Sequence, residues 1–166
     1  MRVVDNTVMY VGQFTRKALV ALVFLSACTK VDGGAAELSW KLRPASSSLT
    51  DKFVDCDSTV VDDATDTMFT LGVKKIRLDW QSQGVMGPGE EWSCRDSQGV
   101  TGFELPPGET LLWVTPICET GPAAAGTFVA PAPERRTVIT GDTVSLGAIE
   151  LILQVSSCTD QPCVCQ

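Results

Sequence analysis

Apolar residues alternate with polar residues at every second position in three segments of the chain, and this spacing limits the fold more than any other feature. The pattern runs through residues 38–43, 73–80 and 149–155. In the second segment, Ile76 and Leu78 would share one face of a strand while Arg77 points to the other. A two-residue period is that of a half-buried β-strand. No amphipathic helical period continues over three turns, so the chain is predicted to be all β.

Turn-forming residues between these segments predict further strands. The glycine-rich stretch at 84–89 would lead into a return strand at 91–94, forming a hairpin with 73–80. A strand at 102–105 is expected to stop at Pro106-Pro107-Gly108, where fixed proline φ angles and a glycine favour a turn, and residues 111–115 would then run back beside it.

The last predicted strand differs from the others because it is apolar on both sides. Ile149, Leu151, Leu153 and Val155 share one face, but Ile152 interrupts the polar side, which indicates a strand covered on both faces. Together these segments predict a single β-sandwich of about seven strands over residues 37–166.

Two stretches resemble a known family. Residues 96–114 contain a turn glycine, a Phe-containing segment, a Pro-Pro-Gly turn and an alternating apolar strand, and residues 138–144 precede a closing strand at 146–155. This order resembles the transthyretin-like, carboxypeptidase regulatory-like domains. The resemblance implies an immunoglobulin-like (prealbumin-like) sandwich that serves as a binding, scaffolding or accessory module, and a fold alone does not fix a function.

The N-terminal region has the features of an export signal. Arg16 and Lys17 precede an apolar run of eight residues at 18–25, whereas a membrane-spanning helix needs roughly 20. The run ends in Leu25-Ser26-Ala27-Cys28, which resembles the lipobox of bacterial lipoproteins. The resemblance implies cleavage before Cys28 and lipid on its thiol. An ordinary secretory signal with a chance cysteine is the alternative.

We therefore predict a signal peptide at 1–27, a lipidated cysteine with a flexible tether at 28–36, and attachment to a membrane through the lipid on Cys28. Met9 is an alternative start. Thr29 follows Cys28. In the sorting rule of many Gram-negative lipoproteins, an aspartate at that position favours the inner membrane. The outer membrane is therefore the expected location.

The predicted mature chain is acidic. The whole chain has 13 basic and 20 acidic side chains, and residues 1–27 contain three of the former and one of the latter, which leaves a formal charge near −9. Nucleic-acid binding calls for a basic surface, so a nucleic-acid partner is not expected.

The cysteines predict disulfides. Assigning Cys28 to lipid leaves an even number, namely Cys56, Cys94, Cys118, Cys158, Cys163 and Cys165. Export to an oxidising compartment favours three bridges, although six cysteines allow 15 connectivities. Cys163 and Cys165 are too close in sequence to pair with each other, and Cys158 is a candidate partner for one of them. A zinc site is the weaker alternative because the chain lacks histidine and a CxxC pair.

An acidic segment offers carboxylate oxygens of the kind that calcium binds. Its members are Asp55, Asp57, Asp62, Asp63 and Asp66. The spacing lacks the glycine and the closing glutamate of an EF-hand, so a solvated acidic loop beside Cys56 is favoured over a calcium site, and no cofactor is expected.

The sequence contains few of the side-chain combinations that enzymes use for catalysis. Without histidine, Ser-His-Asp and Cys-His mechanisms are excluded. The serines at 46–48 do not stand three residues before Lys52, as a Ser-x-x-Lys motif requires. Glu90 and Glu91 could act as acid and base, but adjacent strand residues face opposite sides, and this pair is also predicted to lie at the turn before the return strand. We therefore predict a protein that is not an enzyme.

Four tryptophans, Trp40, Trp80, Trp92 and Trp113, suggest sugar stacking, but each lies in or beside a predicted strand, where burial in the core is favoured. The connection at 121–136, with Arg135 and Arg136, is either a ligand-facing loop or a crossing between sheets.

The sequence thus predicts a lipid-anchored cell-envelope sandwich acting as a non-catalytic binding or structural module, with an envelope protein or a polysaccharide as partner. A carbohydrate-binding accessory lipoprotein is the first alternative, and a small envelope hydrolase is the weaker one.

Overall fold

A computed structural model describes residues 31–45, 52–61, 65–155 and 163–166. Its compact unit spans Asp32–Gln166. In chain order the strands are β1 Ala35–Ala45, β2 Thr59–Val61, β3 Met68–Thr70, β4 Lys75–Ser82, β5 Val85–Met86, β6 Glu90–Ser93, β7 Gln98–Val100, β8 Gly108–Cys118, β9 Gly121–Pro122, β10 Phe128–Val129, β11 Glu134–Val138 and β12 Thr143–Gln154. A 3-10 turn at Cys94–Asp96 follows β6. The all-β prediction is confirmed.

The first sheet has the order β10-β12-β1-β7 and is centred on the long strands β12 and β1. β1 and β12 run parallel, with Trp40 opposite Ile149 and Leu42 opposite Leu151, and the register shifts between Glu37 and Ser39. The remaining pairs in this sheet are antiparallel. On β12, Leu151 is fully buried and Ile152 on the other face is half-buried, so that outer face is partly covered, as predicted.

The second sheet has the order β11-β8-β4, with β5 and β6 also pairing with β4 and β9 pairing with β8. Every pair is antiparallel. Ile76 lies opposite Trp92 in the β4–β6 pair, which confirms the predicted hairpin. A separate two-stranded sheet is formed by β2 and β3.

The apolar faces of the two larger sheets share one core. From the first sheet, Leu38, Trp40, Leu42, Leu151 and Leu153 are buried, and from the second, Ile76, Leu78, Leu112 and Val114. These side chains occupy alternate positions on their strands, so the two-residue period of the sequence places them all on the inner side. The described residues therefore form a β-sandwich, as predicted, but with twelve strands rather than about seven, because several short strands join the sheet edges.

The prediction of a strand at 102–105 running beside 111–115 is wrong. The strand here is β7, which begins four residues earlier, and it pairs with β1 in the first sheet. β8 pairs instead with β4 and β11 in the second sheet. The segment between them crosses from one sheet to the other, so Phe103 is exposed and Leu105 makes a single bridge to Gly34.

The predicted tether at 28–36 extends too far into the domain. Ala35 and Ala36 begin β1 and are buried. A Cβ on Gly33 would lie 2.5 Å from the carbonyl oxygen of Leu105, and one on Gly34 would lie 2.5 Å from Val138. Only glycine fits at these two positions, so the folded part begins before residue 37.

The connection at 121–136 crosses between the sheets, which confirms one of its two interpretations. It passes from β9 in the second sheet to β10 in the first and returns to β11 in the second. Arg135 forms an ion pair with Glu109, and Arg136 forms one with Glu134.

Candidate functional site

Four of the predicted disulfide cysteines form two bridges. Cys56 is bonded to Cys94, with Cα atoms 6.0 Å apart, and Cys118 is bonded to Cys165, with Cα atoms 5.3 Å apart. Cys163 is disulfide-bonded as well. Cys163 and Cys165 do not pair with each other, as predicted, while Cys28 and Cys158 lie outside the described residues. Over the described ranges, no group of three or more His, Cys, Asp or Glu side chains could hold a metal ion.

The Cys56–Cys94 bridge lies where three parts of the chain meet. The Val73 amide donates to the Cys56 carbonyl oxygen at 3.2 Å, and the Cys94 amide donates to the Lys74 carbonyl oxygen at 3.0 Å. The indole Nε1 of Trp40 donates to the Cys94 carbonyl oxygen at 2.8 Å. The bridge is therefore held to both β1 and the segment leading into β4.

A groove of about 620 Å³ opens beside this bridge. Its floor contains the buried residues Trp40, Leu42, Cys56 and Cys94. Its rim carries charged and aromatic side chains, namely Lys41, Phe53, Asp55, Asp57 and Arg95. A concave surface of this volume with an apolar floor and a few polar groups has the size and character of a ligand-binding site.

An ion pair crosses one side of the rim. The Nε of Arg95 donates to Oδ2 of Asp57 at 3.0 Å, and an Arg95 terminal nitrogen contacts the same oxygen. Lys74 lies 3.9 Å from the other carboxylate oxygen. The hydrogen bond from Arg95 holds the pKa of Asp57 below its ordinary value and raises that of Arg95. Asp57 is thus an ionised, paired group.

A cation and an aromatic ring form another part of the rim. Nζ of Lys41 lies 4.9 Å from the centre of the Phe53 ring, within the range of a cation–π contact. The Phe53 residue is 53% exposed. The pair gives the groove a positive charge beside an accessible apolar surface.

The predicted acidic segment is divided by the structure. Asp57 is paired with Arg95 and Lys74, whereas Asp55 and Asp66 are exposed. Asp62 and Asp63 lie outside the described residues. A carboxylate engaged by two cations is a poor ligand for calcium. The choice between a solvated loop and a calcium site stays a prediction.

Three of the tryptophans, Trp40, Trp80 and Trp92, pack against other residues rather than forming a sugar platform. Trp40 is buried and stacks with Trp92, with ring centroids 6.2 Å apart and an interplanar angle of 29°. Gly99 packs against the Trp92 ring, and Gly87 packs against the Trp80 ring, so closely that a Cβ at either position would overlap the ring. Trp113 is half-buried on the outer face of the second sheet.

Glu90 and Glu91 lie on β6 and not in a turn, so that part of the prediction is wrong. As neighbours on a strand they point to opposite faces. Glu91 pairs with Lys75 at 2.9 Å, and Glu90 accepts a 3.3 Å hydrogen bond from the Gly102 amide. The pair therefore does not converge on one substrate. The serines at 46–48 lie outside the described residues.

Sequence reasoning missed the groove because its members are far apart in the chain. Lys41, Phe53 and Arg95 had no motif to connect them. The available signal was the position of Cys56 between Asp55 and Asp57, which indicated a charged surface beside a disulfide. The arrangement can bind a ligand through charge and apolar contact.

Neither a protein-family model, nor a curated protein, nor a solved structure matches the chain. The resemblances to transthyretin-like domains and to the lipobox stay predictions. Within the described residues, no helix is both long enough and apolar enough to cross a membrane.

Proposed function

We propose that this protein is a lipid-anchored, non-catalytic binding module of the bacterial cell envelope and that the groove beside the Cys56–Cys94 bridge is its binding site. The lipid on Cys28 would hold the domain at the membrane, with the outer membrane as the expected location. The partner is a segment of an envelope protein or a polysaccharide chain.

One observation carries the binding proposal: an accessible charge and an accessible apolar side chain lie together above the buried, cross-linked floor of the groove. Lys41 and Phe53 supply the accessible groups. Trp40 and Cys94 are buried below them and joined by a hydrogen bond, and Cys94 is bonded to Cys56. A site on a fixed floor loses little conformational entropy when it binds.

The groove is tested by removing its accessible apolar side chain. We expect Phe53→Ser to weaken binding to the envelope partner, measured by photocrosslinking for proteins and by calorimetry for purified envelope polysaccharide. Met86→Ser is the matched control, since Met86 is 56% exposed and lies on β5 of the second sheet. Equal binding by both variants would show that the groove is not the binding site.

The anchor is tested separately by Cys28→Ser, which should abolish incorporation of labelled fatty acid and release the protein from membranes. Because an altered signal can also fail to be cleaved, a second form should carry an ordinary secretory leader joined to Asp32. That form keeps the complete compact unit. Membrane association of this second form at the level of the wild type would contradict lipid anchoring.

The carbohydrate-binding alternative has its own candidate residue. Trp113 lies opposite Asp79 on the outer face of the second sheet, and Asp79 accepts a 2.7 Å hydrogen bond from the Thr115 hydroxyl. A half-buried ring beside polar groups can stack against a sugar. If this face binds polysaccharide, Trp113→Ala should abolish the binding and Phe53→Ser should not.

A further inference from the structure

The chain enters β1 between two turns at one end of the sandwich. The Gly34 amide donates to the Leu105 carbonyl oxygen at 2.9 Å, and the Gly141 amide donates to the Gly33 carbonyl oxygen at 2.9 Å. The turns are residues 102–105 and 139–142. We call this end, formed by Gly33, Gly34 and these two turns, the entry pole. Its hydrogen bonds fix Gly33 relative to the domain.

Each of the two turns exposes a large apolar side chain. Phe103 is 44% exposed and Ile139 is 58% exposed. Their backbone carbonyl oxygens lie within 3 Å of the Cβ positions that Gly33 and Gly34 would have, at 2.8 and 2.7 Å respectively. Two apolar side chains therefore flank the point where the chain enters the fold.

The covalent distance to the predicted lipid is short. Cys28 and Gly33 are five positions apart in the sequence, and a fully extended chain spans at most about 3.5 Å per residue, so the tether can reach no further than about 17 Å. A lipidated Cys28 must lie at the membrane surface. The entry pole is consequently the part of the described domain that the anchor holds nearest to the bilayer.

We infer that the entry pole docks on the lipid bilayer, with Phe103 and Ile139 inserted at the interface. This inference rests on the proposed lipidation of Cys28. Two apolar side chains alone bind a bilayer weakly, and the lipid anchor supplies the high local concentration that makes their contact with the bilayer frequent.

Docking of the entry pole on the bilayer also determines how the groove beside the Cys56–Cys94 bridge is oriented relative to the membrane. β1 leads away from Gly33, and Lys41 lies eight residues further along, about 26 Å at the rise of an extended strand. The groove beside Lys41 would then be directed away from the membrane, toward partners in the aqueous phase.

The charge of the entry pole predicts which lipid it prefers. Glu104 and Asp142 are exposed at the same two turns. Because anionic headgroups repel carboxylates, docking should be stronger on zwitterionic lipid than on lipid with net negative charge.

The test uses the mature lipidated protein in phosphatidylcholine vesicles, with the photocrosslinking residue p-benzoylphenylalanine at position 103. Position 129 is the control, because Val129 is 62% exposed and lies opposite Ile152, near the far end of β12. We expect about tenfold more phospholipid adduct at position 103 than at 129, and less when phosphatidylglycerol is added.

Mass spectrometry of each protein before reconstitution shows whether the protein carries acyl chains. This measurement separates the docking of the entry pole from the lipidation of Cys28 on which it rests. A protein without acyl chains would contradict the lipid anchor itself. An acylated protein with equal lipid adducts at positions 103 and 129, or with adducts to protein at 103, would overturn docking while leaving the anchor in place.

Discussion

The indole Nε1 of Trp40 donates a 2.8 Å hydrogen bond to the carbonyl oxygen of Cys94, and the two residues are 54 positions apart in the chain. Trp40 belongs to β1 of the first sheet, and Cys94 follows β6 of the second sheet. Both residues are buried. The bond therefore joins the two sheets under the candidate groove at the point where Cys94 is also bonded to Cys56.

Trp40→Phe should destabilise the fold by about 2–3 kcal/mol, because it removes the indole donor and leaves a cavity in the core. Urea unfolding followed by circular dichroism measures the change. Trp113→Phe is the control at a half-buried outer position, and it should cost less than about 1 kcal/mol. An equal loss in both variants would show that the Trp40 bond contributes little.

Replacing both Cys56 and Cys94 with alanine should lower the free energy of unfolding by about 4 kcal/mol, since the bridge closes a loop with a sequence separation of 38. The paired substitution avoids leaving a free thiol. Hydrogen exchange should also become faster at residues 53–58. If exchange there were unchanged, the bridge would not be what holds the groove in shape.

Asp57→Asn should destabilise the protein at neutral pH, and the difference from wild type should vanish in acid. In the folded state, Arg95 lowers the pKa of Asp57 below its ordinary value of 3.8. The ion pair therefore stabilises the fold fully above that ordinary value, and this stabilisation is lost as the pH falls through the lowered pKa. Thermal unfolding between pH 7 and about pH 2 measures the gap. Asp55→Asn, at the exposed neighbouring carboxylate, should show no such closing gap.

Gly87→Ala should destabilise the fold by about 1–3 kcal/mol, because the new Cβ would lie 1.8 Å from the Trp80 ring. Thermal unfolding measures the cost. Gly102→Ala is the matched control, since its nearest neighbours are 3.6 Å away in the flexible Glu104 side chain. A neutral Gly87→Ala would mean that the Trp80 ring moves freely.

Local patterns predicted the strands whose two faces differ in polarity. Leu38, Trp40 and Leu42 occupy the buried face of β1, and Ile76 and Leu78 that of β4, as their spacing indicates. The strand predicted at 102–105 was wrong because the apolar residues of this segment and the turn after it fit a strand locally. Whether it pairs depends on which sheet β7 and β8 join, and that is a long-range property.

The candidate site was less predictable than the fold. Asp57 was recognised as part of an acidic segment, but its partner Arg95 is 38 residues away. Phe53 carried no signal, because its exposure follows from the position of Val54, whose amide donates to the Leu42 carbonyl oxygen at 3.0 Å. A groove is a property of surfaces that meet after folding.

The sequence by itself determined the all-β class, the inward faces of the long strands and the exclusion of a Cys163–Cys165 bridge. These follow from the two-residue period of a strand and from the geometry of a disulfide, both of which act over a few residues. Tertiary structure alone decided that Cys56 bonds to Cys94 and Cys118 to Cys165. It also decided that Gly87 and Gly99 lie against tryptophan rings and that Lys41, Phe53 and Arg95 surround one groove. Those relationships join residues from distant parts of the chain, and only the packing of two sheets on a shared core brings them together.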